Sequence, residues 1–195
     1  MIFFMITQNG NHTQWCVRAG EGGKCTIQLT FGIEQIAGQP SRAATVAWDL
    51  YCGTCQISLI LARLGYRVLG IEENAKAVED AAENARRNKL EEKSQFLASR
   101  VEDAQRLIPA WAKSPDLIVV NPSRRGLADS TRKHLKELLA QHPKARFIYV
   151  SCEVETLSRD LKELTQSGFA LRQIEPFDMF PQTDNMEWLA VLSGH

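Results

Sequence analysis

The chain has 195 residues, 44% of them hydrophobic, enough for one compact domain with its own core and little beside it. Lys plus Arg and Asp plus Glu balance at 23 each, so no global positive field marks a nucleic-acid binder or a membrane-surface protein. Five cysteines, an odd number without repeated metal-ligand pairs, argue against a disulfide framework or a zinc ribbon and favour a soluble cytoplasmic protein with reduced thiols.

The opening "MIFFMI" is apolar for six residues only and runs into polar "TQNGNH", so neither a signal peptide nor a membrane span is expected there. "TQWCVRA" and "KCTIQLTF", separated by "GEGG", read as strand-like pieces of a short β-hairpin-like segment over residues 1–45, and "AGQPSRA" (37–43) is the candidate linker. From residue 46 to 195 a second unit begins, in which short apolar runs alternate with longer amphipathic ones. The runs are "VAWDL" (46–50), "RVLGI" (67–71), "SQFLA" (94–98), "DLIVV" (116–120) and "RFIYVS" (146–151). Between them lie helical patterns in "QISLILARL", in Ala75, Val78, Ala82 and Ala85, in "VEDAQRLIPAWA", and in Leu135, Leu138 and Leu139. Strands alternating with helices predict an α/β fold with a doubly wound, Rossmann-like parallel sheet. A fifth helix carries Leu157, Leu161 and Leu164 and is capped by Gly168. "FALRQIEPF" and "MEWLAVL" follow with only "DMFPQTDN" between them, too short for a crossover helix, so these two strands should be antiparallel. Seven strands with the last reversed is the layout of class I S-adenosylmethionine (SAM) methyltransferases.

In such a sheet ligands bind outside the carboxyl ends of the strands. Asp49 and Gly53 open a tight turn into a helix, where backbone N–H groups can face a ligand carboxylate. Glu72 ends the second strand, where a carboxylate can accept from ribose hydroxyls; a plain solvent-facing acid is the equal alternative. Asn121-Pro122 ends the fourth, as a ligand contact or as a simple turn. Cys52 and Cys55 form a C-x-x-C with no second pair at a usable distance, which argues against a redox or zinc role. Cys152 ends the fifth strand just before a helix. A free cysteine is more often a small core hydrophobe, but a helix N-terminus is a setting that lowers a thiol pKa. From Arg124 to Arg146 seven basic residues stand against two acidic ones, a candidate phosphate-contacting surface whose plainer reading is solvated helix faces.

Four blocks, "WDLYCGT", "NPSRRG", "YVSCEVETLSRDL" and "FDMFPQTDNMEWL", resemble the catalytic domain of the bacterial RNA uridine C5-methyltransferases from about residue 46 onward. "WDLYCG", "VNPSRRG" and "FDMFP" are most similar to the RlmC type, which methylates 23S rRNA rather than tRNA. The resemblance implies SAM as cofactor, RNA as partner and formation of 5-methyluridine. It places the nucleophile on Cys152, the general base on Glu187, 35 residues later, and ligand-binding strand ends at Glu72 and Asn121, which join the Asp49–Gly53 turn as the expected cofactor contacts. RlmC-type members hold an iron–sulfur cluster on a set of cysteines that Cys16 and Cys25 do not reproduce, so neither a metal nor an iron–sulfur cluster is expected in this chain; no membrane association is expected either, and the protein is expected to be a monomer. Departures from the family pattern are Cys55 for a glycine, where a side chain is expected to crowd SAM, Ser123 for a proline, Glu153 for an asparagine and Asn185 for a histidine. An adjacent Glu153 carboxylate is expected to raise the Cys152 pKa. "LTFGIEQIAGQP" is too short for the connecting helix expected before the first strand, and Gln35 is given no substrate role. These departures keep two other readings open: a truncated or degenerate domain that retains the fold without catalysis, and a SAM methyltransferase for another substrate.

Overall fold

The computed structural model describes residues 3–9, 12–18, 27–40, 45–177 and 186–194. Two strands, β1 (Phe3–Asn9) and β2 (His12–Arg18), pair antiparallel as a separate hairpin. Helix α1 (Ile27–Ala37) follows, where the sequence reading expected a strand and no helix. The short apolar run in "KCTIQLTF" fits either period; the continuation "GIEQIA" extends it to helix length and places Ile33 and Ala37 four apart on one buried face.

The remaining strands form one seven-stranded sheet: β3 (Val46–Leu50), β4 (Arg67–Glu72), β5 (Ser94–Ala98), β6 (Leu117–Val120), β7 (Arg146–Ser151), β8 (Phe169–Phe177) and β9 (Glu187–Gly194), in the order β5-β4-β3-β6-β7-β9-β8. Strands β3 to β7 pair parallel, and β9 slots between β7 and β8 antiparallel to both. The expected doubly wound sheet with a reversed last strand is therefore present. The "DMFPQTDN" link, Asn185 included, lies outside the described residues.

Helices cover both faces. On one, α4 (Asp129–Gln141) and α5 (Val154–Leu164) supply Leu135, Leu139, Leu157 and Leu164 to a core built on Trp48, Leu50, Ile118, Phe147 and Tyr149. On the other, α1, α2 (Gln56–Leu64) and α3 (Ala75–Arg87) pack Ile33, Leu59, Ile60 and Ala81 against Ala47, Val68, Leu117, Ile148 and Val150. Successive strand residues fall alternately into the two cores, as the pleat requires. Each fully buried Leu, Ile or Phe contributes roughly 1.5–3 kcal/mol, so the central strands are the rigid platform on which their carboxyl ends are displayed.

The helix expected over "VEDAQRLIPAWA" is instead two single 3₁₀ turns, Ala104–Arg106 and Ala110–Ala112. Pro109, in extended geometry, disfavours helix at Ile108 and stops propagation. The second turn is fastened to the core by Trp48, whose indole N–H donates to the Ala112 carbonyl at 2.8 Å. No helix among the described residues is long and apolar enough to cross a membrane.

Candidate active site

The turn after β3 is the first element at the carboxyl end of the sheet. Tyr51, Gly53 and Cys55 all have positive φ (61°, 52° and 75°). Asp49, at the end of this strand, is fully buried and accepts from the Ser58 hydroxyl of α2 at 2.6 Å, while its second oxygen Oδ1 has no partner. Burial pushes its carboxyl up to about 7, against the Ser58 bonds that favour the charge, and Glu72 adds to the rise. Asp49 thus braces the turn from beneath. Gly53 donates its N–H to Glu72 Oε2 at 3.1 Å, and the Asn74 N–H donates to Oε1 at 3.0 Å, so Glu72 is aimed by two backbone amides and keeps lone pairs for a further donor.

Glu72 opens onto a cavity of about 300 Å³ above β3, β4 and β6. Its walls combine acidic Glu72, Glu73 and Glu102, which outnumber the single basic Arg100, with the apolar surfaces of Tyr51, Val101 and Leu127. Tyr51 donates its O–H to Thr131 Oγ1 at 3.3 Å, and Thr131 in turn donates to Glu102, a chain the sequence reading did not anticipate. Asn121 is exposed at the end of β6 beside Pro122, which lines this cavity. Cys55 does not reach the cavity. It is fully buried, and its thiol donates to the Ala81 carbonyl at 3.3 Å, so the expected crowding of a ligand does not arise; what Cys55 costs is backbone strain at a left-handed position that suits glycine. Burial holds the thiols of Cys52 and Cys55 far above their ordinary range.

The second group is made by the reversed strand. Ser151 of β7 pairs with Trp188 of β9, so the next step of the antiparallel register sets Cys152 against Glu187. Residues 35 apart in sequence become neighbours because β9 inserts beside β7. Their electrostatics agree: burial pushes the half-buried Cys152 thiol up, Glu187 adds to the rise, Arg124 opposes it, and Glu153 adds a last, smaller push. Glu187 is itself raised by burial and lowered by Arg124. The thiol is therefore not depressed, as a helix N-terminus alone would suggest: Glu187 and burial outweigh that placement. The influence of Glu153 has the expected sign, but this carboxyl is itself raised above its usual range by a hydrogen bond with Glu155.

Arg124 belongs to the loop between β6 and α4, and that loop is pinned along its backbone by α5. Thr156 donates to the Arg124 carbonyl at 3.2 Å, and Arg159 Nη2 to the carbonyls of Arg125 and Leu127 at 3.1 Å each. Asp160, fully buried, accepts the Leu127 N–H at 2.8 Å and the Tyr149 O–H at 2.6 Å. Gly126 sits at φ +67° against this cluster, and a Cβ there would lie 2.7 Å from Asp160 Oδ2. The predicted residues thus fall into two groups at the carboxyl end of the sheet: Glu72 lines the cavity, with Gly53 bonded to it, Asp49 buried beneath the turn and Asn121 next to the lining Pro122, while Cys152 and Glu187 form the second group and do not line the cavity. Sequence reasoning missed Tyr51, Glu102, Tyr149 and Asp160. For Asp160 a signal existed, since an acid stands among Leu157, Leu161 and Leu164 on the apolar face of α5. Among the described residues no cluster of three or more His, Cys, Asp or Glu side chains is arranged to hold a metal.

The family model for tRNA (Uracil-5-)-methyltransferase matches residues 33–194. An uncharacterized RNA methyltransferase of Halalkalibacterium halodurans is 36% identical over 172 residues, covering 87% of this chain and 35% of the relative. Another, from Oceanobacillus iheyensis, is 40% identical over 151 residues, covering 76% and 31% respectively. The chain spans about a third of the length of these curated relatives. The Pyrococcus abyssi tRNA (uracil-54, C5)-methyltransferase, solved in complex with S-adenosyl-L-homocysteine, superposes with a TM-score of 0.72 at 24% identity, over 97% of this chain and 44% of that one. A TehB-like SAM-dependent methyltransferase of Corynebacterium glutamicum superposes at 0.64 with 16% identity, over 88% and 90%.

Proposed function

The chain belongs to the tRNA (uracil-5-)-methyltransferase family, and from that membership and the geometry of its site we propose that it methylates C5 of a uridine in RNA, with SAM as the methyl donor. The observation that carries this reading is the antiparallel pairing of Ser151 with Trp188, which brings Cys152, just past β7, within electrostatic range of Glu187 at the start of β9, at the same carboxyl end of the sheet as Glu72 and its cavity.

The cavity residues fit SAM. Its acidic walls complement a cationic ligand, and Glu72, held by Gly53 and Asn74, retains acceptor capacity for ribose hydroxyls. When bound, SAM supplies an electrophilic methyl group on a positively charged sulfur.

C5 of uracil is a weak nucleophile, and Cys152 remedies this. Its thiolate adds to C6; the C5–C6 π electrons move onto the C4 carbonyl, giving an enolate whose C5 can accept the methyl group. Glu187 then removes the C5 proton, the C5–C6 double bond re-forms, and the Cys152 thiolate leaves. A thiol held high by burial and Glu187 is mostly protonated at neutral pH, so it must lose its proton when the pyrimidine enters, with the Arg124 charge favouring the thiolate. Attack on C6 from above the ring requires an unpaired or flipped uridine. The blocks "WDLYCG", "VNPSRRG" and "FDMFP" favour 23S rRNA over tRNA as its source.

Two measurements test the proposal. Calorimetric titration with SAM should show binding, and its absence would sink the enzyme reading. With SAM present, 5-fluorouridine RNA should give a covalent adduct, because fluorine at C5 cannot be removed as a proton, and the adduct should vanish in Cys152→Ala. If SAM binds but wild type forms no adduct, the chain is a SAM methyltransferase for another substrate.

A further inference from the structure

The loop that carries Arg124 is held by an unusual density of buried polar contacts. Between residues 124 and 127 the carbonyls of Arg124, Arg125 and Leu127 and the N–H of Leu127 all bond to side chains rather than to other backbone. Those side chains, Thr156, Arg159 and Asp160, lie on α5, the helix that starts two residues after Cys152. Asp160 is the hub. One of its oxygens accepts Tyr149 O–H and Leu127 N–H, and the other accepts Arg159 Nε at 2.8 Å and lies 3.4 Å from Arg132 Nη1, so both are satisfied although the residue is wholly enclosed. Tyr149 belongs to β7, three residues before Cys152.

A buried carboxylate is costly unless every lone pair is used, and replacing it with an apolar side chain of similar volume is often neutral or favourable for stability. Core packing alone therefore does not account for Asp160 on the apolar face of α5. What the network does geometrically is tie three pieces into one body: the strand that ends at Cys152, the helix that follows it, and the loop bearing Arg124. The charged groups acting on the Cys152 thiol come from these pieces and from β9: Arg124 from the loop, Glu153 from the helix entry, and Glu187 from β9. Arg124 alone among them favours the thiolate.

We propose that Asp160, clasped by Tyr149 and Arg159, is a positioning residue that locks the 121–127 loop onto α5 and so holds Arg124 beside Cys152 and Glu187. The inference rests on the reading of Cys152 and Glu187 as the reacting pair, but its test needs neither cofactor nor RNA.

The test is the pH profile of Cys152 alkylation by iodoacetamide, followed on the Cys152 peptide by mass spectrometry in the whole chain. Arg124→Gln should move the midpoint of alkylation upward by about one pH unit, since an opposite charge nearby is worth one to three units. Tyr149→Phe and Asp160→Asn should move it in the same direction by at least half as much. Asp160→Asn combined with Arg124→Gln should shift it no further than Arg124→Gln alone, because the two act through one charge. Thermal melts identify folded variants, and slow alkylation of buried Cys52 and Cys55 confirms an intact core. Should Asp160→Asn fail to fold, Tyr149→Phe, which deletes one hydrogen bond, and Thr156→Val, which deletes the hydroxyl shared between the Arg124 and Glu153 carbonyls, carry the test. A merely structural network lowers the melting temperature and leaves the Cys152 profile in place; that result in folded Tyr149→Phe and Thr156→Val, or additive shifts in the double variant, overturns the proposal. Failure to form the fluorouridine adduct with these shifts intact would remove the uridine C5 reading and leave the positioning unit standing.

Discussion

The two ends of the sheet solve the same problem of buried polar groups in opposite ways. At the amino end Arg146, the first residue of β7, donates to the carbonyls of Ile36 and Ala37 at the C-terminus of α1, and Tyr66 donates to Ala37 at 2.9 Å. Asp116 there accepts the Val46 N–H at 2.9 Å. Each of these bonds joins a side chain to a backbone group left over by a helix or strand end, which is how such groups are ordinarily satisfied. At the carboxyl end Asp49 is buried with one oxygen unpartnered, and Cys152 and Glu187 both have raised pKa values, with Glu187 adding to the rise of the thiol. Like-charged or desolvated groups placed together cost stability and are found where chemistry needs them. The amino end holds the fold, and the carboxyl end spends part of that stability on a site.

The sharpest way to break this contrast is Glu187→Gln. In its proposed role as the base that removes the C5 proton, Glu187 should be worth about 100- to 10,000-fold in turnover. The same substitution removes a charge that raises the Cys152 pKa, so alkylation of Cys152 at neutral pH should become faster while methylation collapses. Both are read from one preparation, by iodoacetamide kinetics and methyl incorporation into RNA. Effects of the same sign would mean that Glu187 serves only to shape the thiol's surroundings.

Asp49→Asn comes next. The folded Asp49 pKa, about 7, lies above the unfolded value near 3.9, so the neutral acid is the form the fold prefers. Its stabilising contribution is complete below the unfolded pKa and is lost as pH rises through 7. Urea titrations should find that the stability of the variant relative to wild type grows by roughly 2–3 kcal/mol between pH 5 and pH 8. A difference independent of pH would place Asp49 with the satisfied polar groups of the other end.

Much of this arrangement was legible in the sequence, and the gaps have physical causes. Short apolar runs between helical patterns identified the five parallel strands, because parallel strands buried on both faces are continuous apolar runs, and the short link identified the antiparallel pair. Cys152 and Glu187 stand out as a pair only through the four sequence blocks, and the reversal of β9 beside β7 brings their segments together. The helix α1 was not legible, because eight residues of mixed apolar pattern fit a strand as well as a helix and only the tertiary seat of Ile33 and Ala37 decides. Pro109 broke a helix that its apolar spacing alone had suggested. The Tyr51–Thr131–Glu102 chain joins three distant segments, and nothing local to any of them announces it.

The smallest effect belongs to the amino end and bears most directly on the contrast. Arg146→Ala leaves the Ile36 carbonyl without its donor, while Ala37 keeps the Tyr66 hydroxyl. Hydrogen bonds from a charged donor are each worth about 1.5–3 kcal/mol, and water can replace part of the loss because Arg146 is only partly buried, so a destabilisation of about 2 kcal/mol is expected. Amide exchange should accelerate first over the last turn of α1, where the capped carbonyls lie, with α5 and the 121–127 loop unchanged. Methyl transfer, measured well below the melting transition, should stay within about threefold of wild type, since no group at the carboxyl end contacts Arg146 and distant substitutions act independently. A larger loss in the folded variant would mean that α1 transmits its position through α2 to the Asp49 turn, and that the two ends of the sheet are one mechanical unit rather than two.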